Sequence, residues 1–142
     1  MKSFVMLAAL LASAFAQGIN IGSPTEGSTI SPGDLTVQIN RPNFISQAEE
    51  VAVVIAISPC NGPDGACSDP INGLGWSVLY NGPYDPQYPA NPRPQDQPQE
   101  NFTVNIPDYL AGKSQLSVLH VSLIGLDNTP FLEVVNTTLN VQ

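Results

Sequence analysis

Apolar and polar positions alternate with period two along much of the chain. Ile19 and Ile21 alternate with polar neighbours until Gly22-Ser23-Pro24 interrupts them. Leu35, Val37 and Ile39 alternate with Thr36, Gln38 and Asn40, and the turn formers Ser31-Pro32-Gly33-Asp34 come just before. Alternation of this kind sends one set of side chains to each face of a half-buried strand. Val51 to Ile57 is instead continuously apolar and rich in β-branched residues, the pattern of a central strand. Leu74 to Tyr80 reads as a further strand. Phe102, Val104 and Ile106 alternate with Thr103 and Asn105. Leu116 to Leu126 is long, with Leu119, Val121 and Leu123 on one face, and Phe131 to Val141 closes the chain. No segment sustains helical periodicity. The pattern predicts an all-β, immunoglobulin-like β-sandwich of about seven strands.

The N-terminus follows a different rule. Met1-Lys2-Ser3 is a short positive start, Phe4 to Phe15 is apolar except for Ser13, and Ala14-Phe15-Ala16 offers small residues at a cleavage site. This is the three-part secretory signal. The apolar run is too short for a bilayer, which needs ~20 residues. The expectation is a signal peptide over 1–16 and a single sandwich domain over 17–142, secreted to the extracellular space. The C-terminal Leu139-Asn140-Val141-Gln142 has no lipid-anchor signal. A free monomer with no membrane anchor is expected.

One stretch breaks the strand rhythm. Residues 81–99 contain six prolines, which remove backbone donors and oppose ladder pairing. It reads as a proline-rich loop inserted between strands that fold without it. Cys60 and Cys67 enclose the turn formers Asn61-Gly62-Pro63-Asp64-Gly65-Ala66. In an oxidising compartment they are expected to form one disulfide, contributing about 2–2.5 kcal/mol in the chain-entropy model. An antibody-type bridge spans two distant strands. This one is local, so the architecture is claimed and not the immunoglobulin family.

Charge narrows the function classes. The chain carries 4 basic residues against 12 acidic ones, and Lys2 leaves with the signal. Lys113, Arg41 and Arg93 do not suffice to neutralise a phosphate backbone, which excludes nucleic acid as a partner. Catalysis finds little material. There is one histidine, His120, inside a strand, and no Gly-x-Ser-x-Gly elbow. Glu49-Glu50 reads as a solvated strand start. Asp64 and Asp69 have no recognised calcium spacing. No catalytic residue, metal site or cofactor is assigned, and the protein is expected not to be an enzyme. A carboxylate pair facing across a cleft would reopen that question.

The aromatics suggest binding. Trp76, Tyr80, Tyr84 and Tyr88 lie within one strand and the loop after it. Exposed in a row, they would form a platform for protein or sugar. The opposing reading puts Trp76 in the core and uses the tyrosines to tack the loop down. Asn101-Phe102-Thr103 and Asn136-Thr137-Thr138 fit the N-glycosylation pattern.

Taken together, Ile-Asn-Ile-Gly-Ser-Pro from Ile19, Leu79-Tyr80-Asn81-Gly82-Pro83-Tyr84, Asn101-Phe102-Thr103-Val104, Leu119-His120-Val121-Ser122-Leu123-Ile124-Gly125 and the closing Asn136 to Val141 resemble the fungal necrosis-inducing secreted protein family. The resemblance covers most of the chain after the signal. It implies a non-enzymatic effector that binds host proteins, immune receptor kinases being the implicated class, and that provokes necrosis. The alternative is a cell-wall-associated or carbohydrate-binding sandwich with a polysaccharide partner.

Overall fold

The computed structural model describes residues 18–43 and 47–142. The signal peptide expected at 1–16 lies outside the described residues. Eight strands are present among those described: β1 (Asn20–Ser23), β2 (Thr29–Ile30), β3 (Gly33–Asn40), β4 (Ala48–Pro59), β5 (Ser77–Gly82), β6 (Gln99–Ile106), β7 (Gly112–Ile124) and β8 (Thr129–Val141). The single helical element among them is a 3-10 turn at Pro63–Gly65. Seven of the strands overlap those read from periodicity, and the eighth is the two-residue β2.

The strands form two sheets, one in the order β1-β3-β6 and one in the order β2-β8-β7-β4-β5. All pairings are antiparallel except β2 with β8. The sheets face each other across one core, as a β-sandwich does. Val37 and Ile39 of β3 with Phe102, Val104 and Ile106 of β6 meet Val53, Ile55 and Ile57 of β4, Leu116 and Val118 of β7, and Leu139 and Val141 of β8. Each such side chain, fully withdrawn from water, contributes about 1.5–3 kcal/mol.

Register tells which residues share a face. His120 pairs with Val53 and with Glu133, so it points inward with Leu116 and Val118. Leu119, Val121 and Leu123 therefore lie on the outer face. Between β7 and β8 the chain reverses through Gly125, whose φ of 74° suits a residue without Cβ.

The 81–99 segment is not detached from the sandwich. It begins inside β5, and Gln87 and Gln99 exchange backbone hydrogen bonds at 3.0 and 2.9 Å despite the prolines around them. Asp85 N–H donates to Glu100. Tyr84 is 3% exposed and belongs to the core. Tyr84 thus packs this segment onto the core, where the sequence reading has a loop inserted between strands.

Candidate functional site

The chain's four ionised groups of highest interest lie inside the sandwich. His120 is 0% exposed. Its Nδ1 lies 2.8 Å from Glu133 Oε1, and its Nε2 bonds Glu50 Oε2. Glu50 Oε1 in turn accepts from Arg41 Nε at 2.6 Å. Glu133 Oε1 also accepts the Ile19 N–H at 2.8 Å. The edge of the Tyr84 ring packs on the imidazole with centroids 5.5 Å apart.

Two devices build this cluster. Glu133 is cross-strand to His120 in regular register. Glu50 arrives through a bulge: Glu50 pairs with Ser122 and Ala52 with Val121, leaving Val51 extra. Without the bulge, strict alternation from Val53 would turn Glu50 outward. With it, Glu50 shares the inner face with His120. Gly18 closes the top, since a Cβ there would fall 2.0 Å from Glu133 Oε2.

Electrostatics follows from this geometry. Burial pulls the His120 pKa down, but its hydrogen bonds to the Glu133 and Glu50 carboxylates and their charges outweigh it, and the net shift is upward. Burial pushes Glu50 up, yet its bonds to His120 and Arg41 leave it below the ordinary value. An imidazolium donating from both nitrogens, two carboxylates and one guanidinium balance in charge. Burial and the nearby Glu50 charge push the Tyr84 phenol upward, so it stays neutral; its O–H donates to the Ile39 carbonyl at 3.3 Å.

Two carboxylates around one histidine are the ingredients of acid–base chemistry. Here both carboxylates bracket the imidazole, and neither lines a described cleft. The arrangement does structural work: it satisfies buried charge. The reading of Glu49-Glu50 as a solvated strand start is corrected for Glu50, which the bulge turns inward onto His120. Among the described residues, no group of three or more His, Cys, Asp or Glu is disposed to hold a metal.

The four aromatics singled out from sequence do not form one surface. Tyr84 is buried. Tyr80 is half-buried on Phe102, ring centroids 4.5 Å apart, its hydroxyl donating to the Pro83 carbonyl. Tyr88 is exposed and donates to Asn43 Oδ1 at 2.8 Å. Trp76 is 71% exposed, against the reading that put it in the core. It precedes β5 beside a cleft bounded by the cysteine loop. Cys60 and Cys67 are disulfide-bonded, with Cα atoms 4.1 Å apart. Asn101 and Asn136 both lie exposed on strands, on the outer faces of opposite sheets.

Those two outer faces differ in chemistry. On the three-stranded sheet, Asp34, Thr36, Gln38 and Asn40 of β3 run beside Asn101, Thr103 and Asn105 of β6. On the five-stranded sheet, cross-strand rows read Leu132, Val121, Ala52 and then Val134, Leu119, Val54. Charge appears on these strands only at the ends of that face, at Glu49 and Lys113. Nothing in the alternation of Leu119, Val121 and Leu123 distinguishes an outer apolar face from an inner one, so sequence reasoning missed this surface.

Comparison with known proteins adds the following. Among solved structures, a Bacillus amyloliquefaciens CBM33 in complex with Cu(I) is similar, with 8% identity and a TM-score of 0.49 over 82% of this chain and 56% of that one. An engineered protein matches at 11% identity and a TM-score of 0.42, over 88% of this chain and 20% of that one. The chain thus spans about half or less of the solved chains it resembles. No curated protein sequence matches it significantly. The family model of the Nis1 family matches residues 12–140, nearly the whole chain, and the protein therefore belongs to the Nis1 family, the necrosis-inducing secreted proteins.

Proposed function

We propose that this protein is a non-enzymatic effector that acts by binding a host protein, and that it docks through the outer face of its five-stranded sheet. Membership of a secreted necrosis-inducing family supports the effector role. The class of partner, immune receptor kinases, rests on the same kinship. The single observation that carries the surface is the contrast between the two outer faces. Leu132 is 62% exposed, and Val54, Leu119, Val121 and Val134 stand around it in register. These four are half-buried, so the face is an apolar patch centred on exposed Leu132, and exposed apolar patches mark interaction sites. The acid–base groups that would suggest an enzyme are engaged with one another inside the core.

The test is direct binding of the secreted protein to purified kinase domains of plant immune receptors, measured by surface plasmon resonance. Leu132→Lys and Val134→Lys, on the strand second from the sheet edge, should each weaken capture about tenfold or more while circular dichroism stays unchanged. Equal capture by the variants removes the face from the proposal. Absence of capture by the native protein removes the partner class.

A further inference from the structure

Trp76 is the chain's single tryptophan, and it stands in water. An indole so exposed buries little of its apolar area, which costs stability unless something covers it. It forms one wall of a cleft of about 440 Å³. Small-molecule sites run from ~300 to ~1,000 Å³. The other walls present the carboxamides of Asn61 and Asn72, the hydroxyls of Ser58 and Ser68, and the carboxylate of Asp69. Among the described residues, neither carboxamide and neither hydroxyl is engaged by a side-chain hydrogen bond. Asp69 Oδ1 accepts the Ile71 N–H at 3.0 Å, which fixes the carboxylate.

The walls are held. Cys60 and Cys67 are bridged, Cys60 N–H donates to the Lys113 carbonyl at 2.9 Å, and Gly62 N–H donates to the Ala66 carbonyl at 2.9 Å. Beside Trp76, the Gly75 backbone lies on β4 so closely that a Cβ would come within 2.9 Å of Ile57 N. The ring is therefore anchored at its backbone although its side chain is free.

This chemistry selects a ligand class. One flat apolar face wants a flat apolar partner. Carboxamides supply donor and acceptor side by side, which suits pairs of neighbouring hydroxyls. No lysine or arginine lines the cleft, and its only charge is negative, so phosphates and acidic sugars find no counter-charge. A pyranose ring meets all three conditions: its C–H face is apolar, its rim is hydroxyl, and it is neutral. We infer that this cleft binds a neutral oligosaccharide, with one pyranose ring stacked on Trp76 and its hydroxyls bonded by Asn61, Asn72 and Asp69. The inference goes beyond the docking of a host protein and does not depend on it.

The lone tryptophan is also the reporter. The secreted protein is titrated with three probes, a β-1,3-linked glucose hexamer, a β-1,4-linked glucose hexamer and a β-1,4-linked N-acetylglucosamine hexamer, following intrinsic fluorescence. Oligogalacturonate serves as the acidic comparison. A saturable fluorescence change with at least one neutral probe is expected, and the arms identify which wall polymer supplies it. Calorimetry of Trp76→Ala and Asn72→Ala, both at exposed positions, should show affinity weakened about tenfold. Three results overturn the inference: no response to any neutral probe at millimolar concentration, equal affinity in both variants, or tighter binding of oligogalacturonate than of every neutral probe. Kinase-domain capture by Trp76→Ala should stay at the native level, so loss of one activity is separable from loss of the other.

Discussion

His120 and Glu50 push the pH response of this fold in opposite directions. The ordinary value of His120 is 6.5 and the folded state holds it higher. A histidine raised on folding stabilises fully below its unfolded value, and that contribution fades as pH climbs through the folded one. Glu50 runs the other way. It lies below its ordinary 4.5, so its contribution is complete above that value and is lost as pH falls through the folded one. The groups facing the imidazole, Glu133 from β8, Glu50 from β4, Arg41 after β3 and Tyr84, leave a charge-balanced cluster only between those limits. The thermal midpoint should therefore be highest between about pH 4.5 and pH 6.5 and decline on the alkaline side. Scanning calorimetry at a series of pH values checks this, and His120→Asn should flatten the alkaline decline. Glu50→Gln removes the carboxylate that bonds both His120 and Arg41 while Glu133 still holds the imidazole, and denaturant melts should show a loss of about 1–3 kcal/mol. A loss below about 1 kcal/mol would mean that water reaches the cluster and screens it.

At the scale of elements, the bulge at Val51 and the segment after β5 do work that a list of strands conceals. Tyr84 sits where the chain leaves β5, plugging the core between Phe102 and His120, with ring centroids 6.3 and 5.5 Å away. Tyr84→Ala should cost about 3–5 kcal/mol in denaturant melts, the usual range for removing a buried aromatic. Deleting only the exposed tip, residues 90–95, should cost less than about 1 kcal/mol, because shortening a loop changes closure entropy slowly. Replacing the whole of 81–99 removes Tyr84 and should unfold the domain. The strands were legible because period two is written directly in residues such as Phe102, Val104 and Ile106. Glu133 has the parity of Leu139 and Val141, which places it inward, yet parity alone names no partner for it across the sheet. Glu50 was not legible, since an inserted residue inverts parity and leaves no compositional mark. Nor was Trp76, since nothing local distinguishes a tryptophan at a strand's start that packs from one that stands in a cleft.

For the whole molecule, one sheet's outer face is polar throughout while the other carries apolar rows at its centre, and the two sequons fall one on each. Asn101 stands among Gln38, Thr103 and Asn105, where a glycan extends a surface that is already hydrated. Asn136 lies in the row with Ser117, Ala56 and Val78, directly beside the row of Val134, Leu119 and Val54. A glycan there projects over the apolar face, and a partner protein cannot occupy the same space. The two sequons therefore have opposite consequences for docking. Protein secreted from a glycosylating host and carrying a glycan at Asn136 should bind a kinase domain at least about tenfold more weakly than the Asn136→Gln variant. The Asn101→Gln variant should match its parent. Intact mass establishes occupancy at each site, and surface plasmon resonance reads the affinity. Equal binding with and without an occupied Asn136 would place the partner elsewhere on the molecule and leave the apolar face as surface that the glycan itself covers.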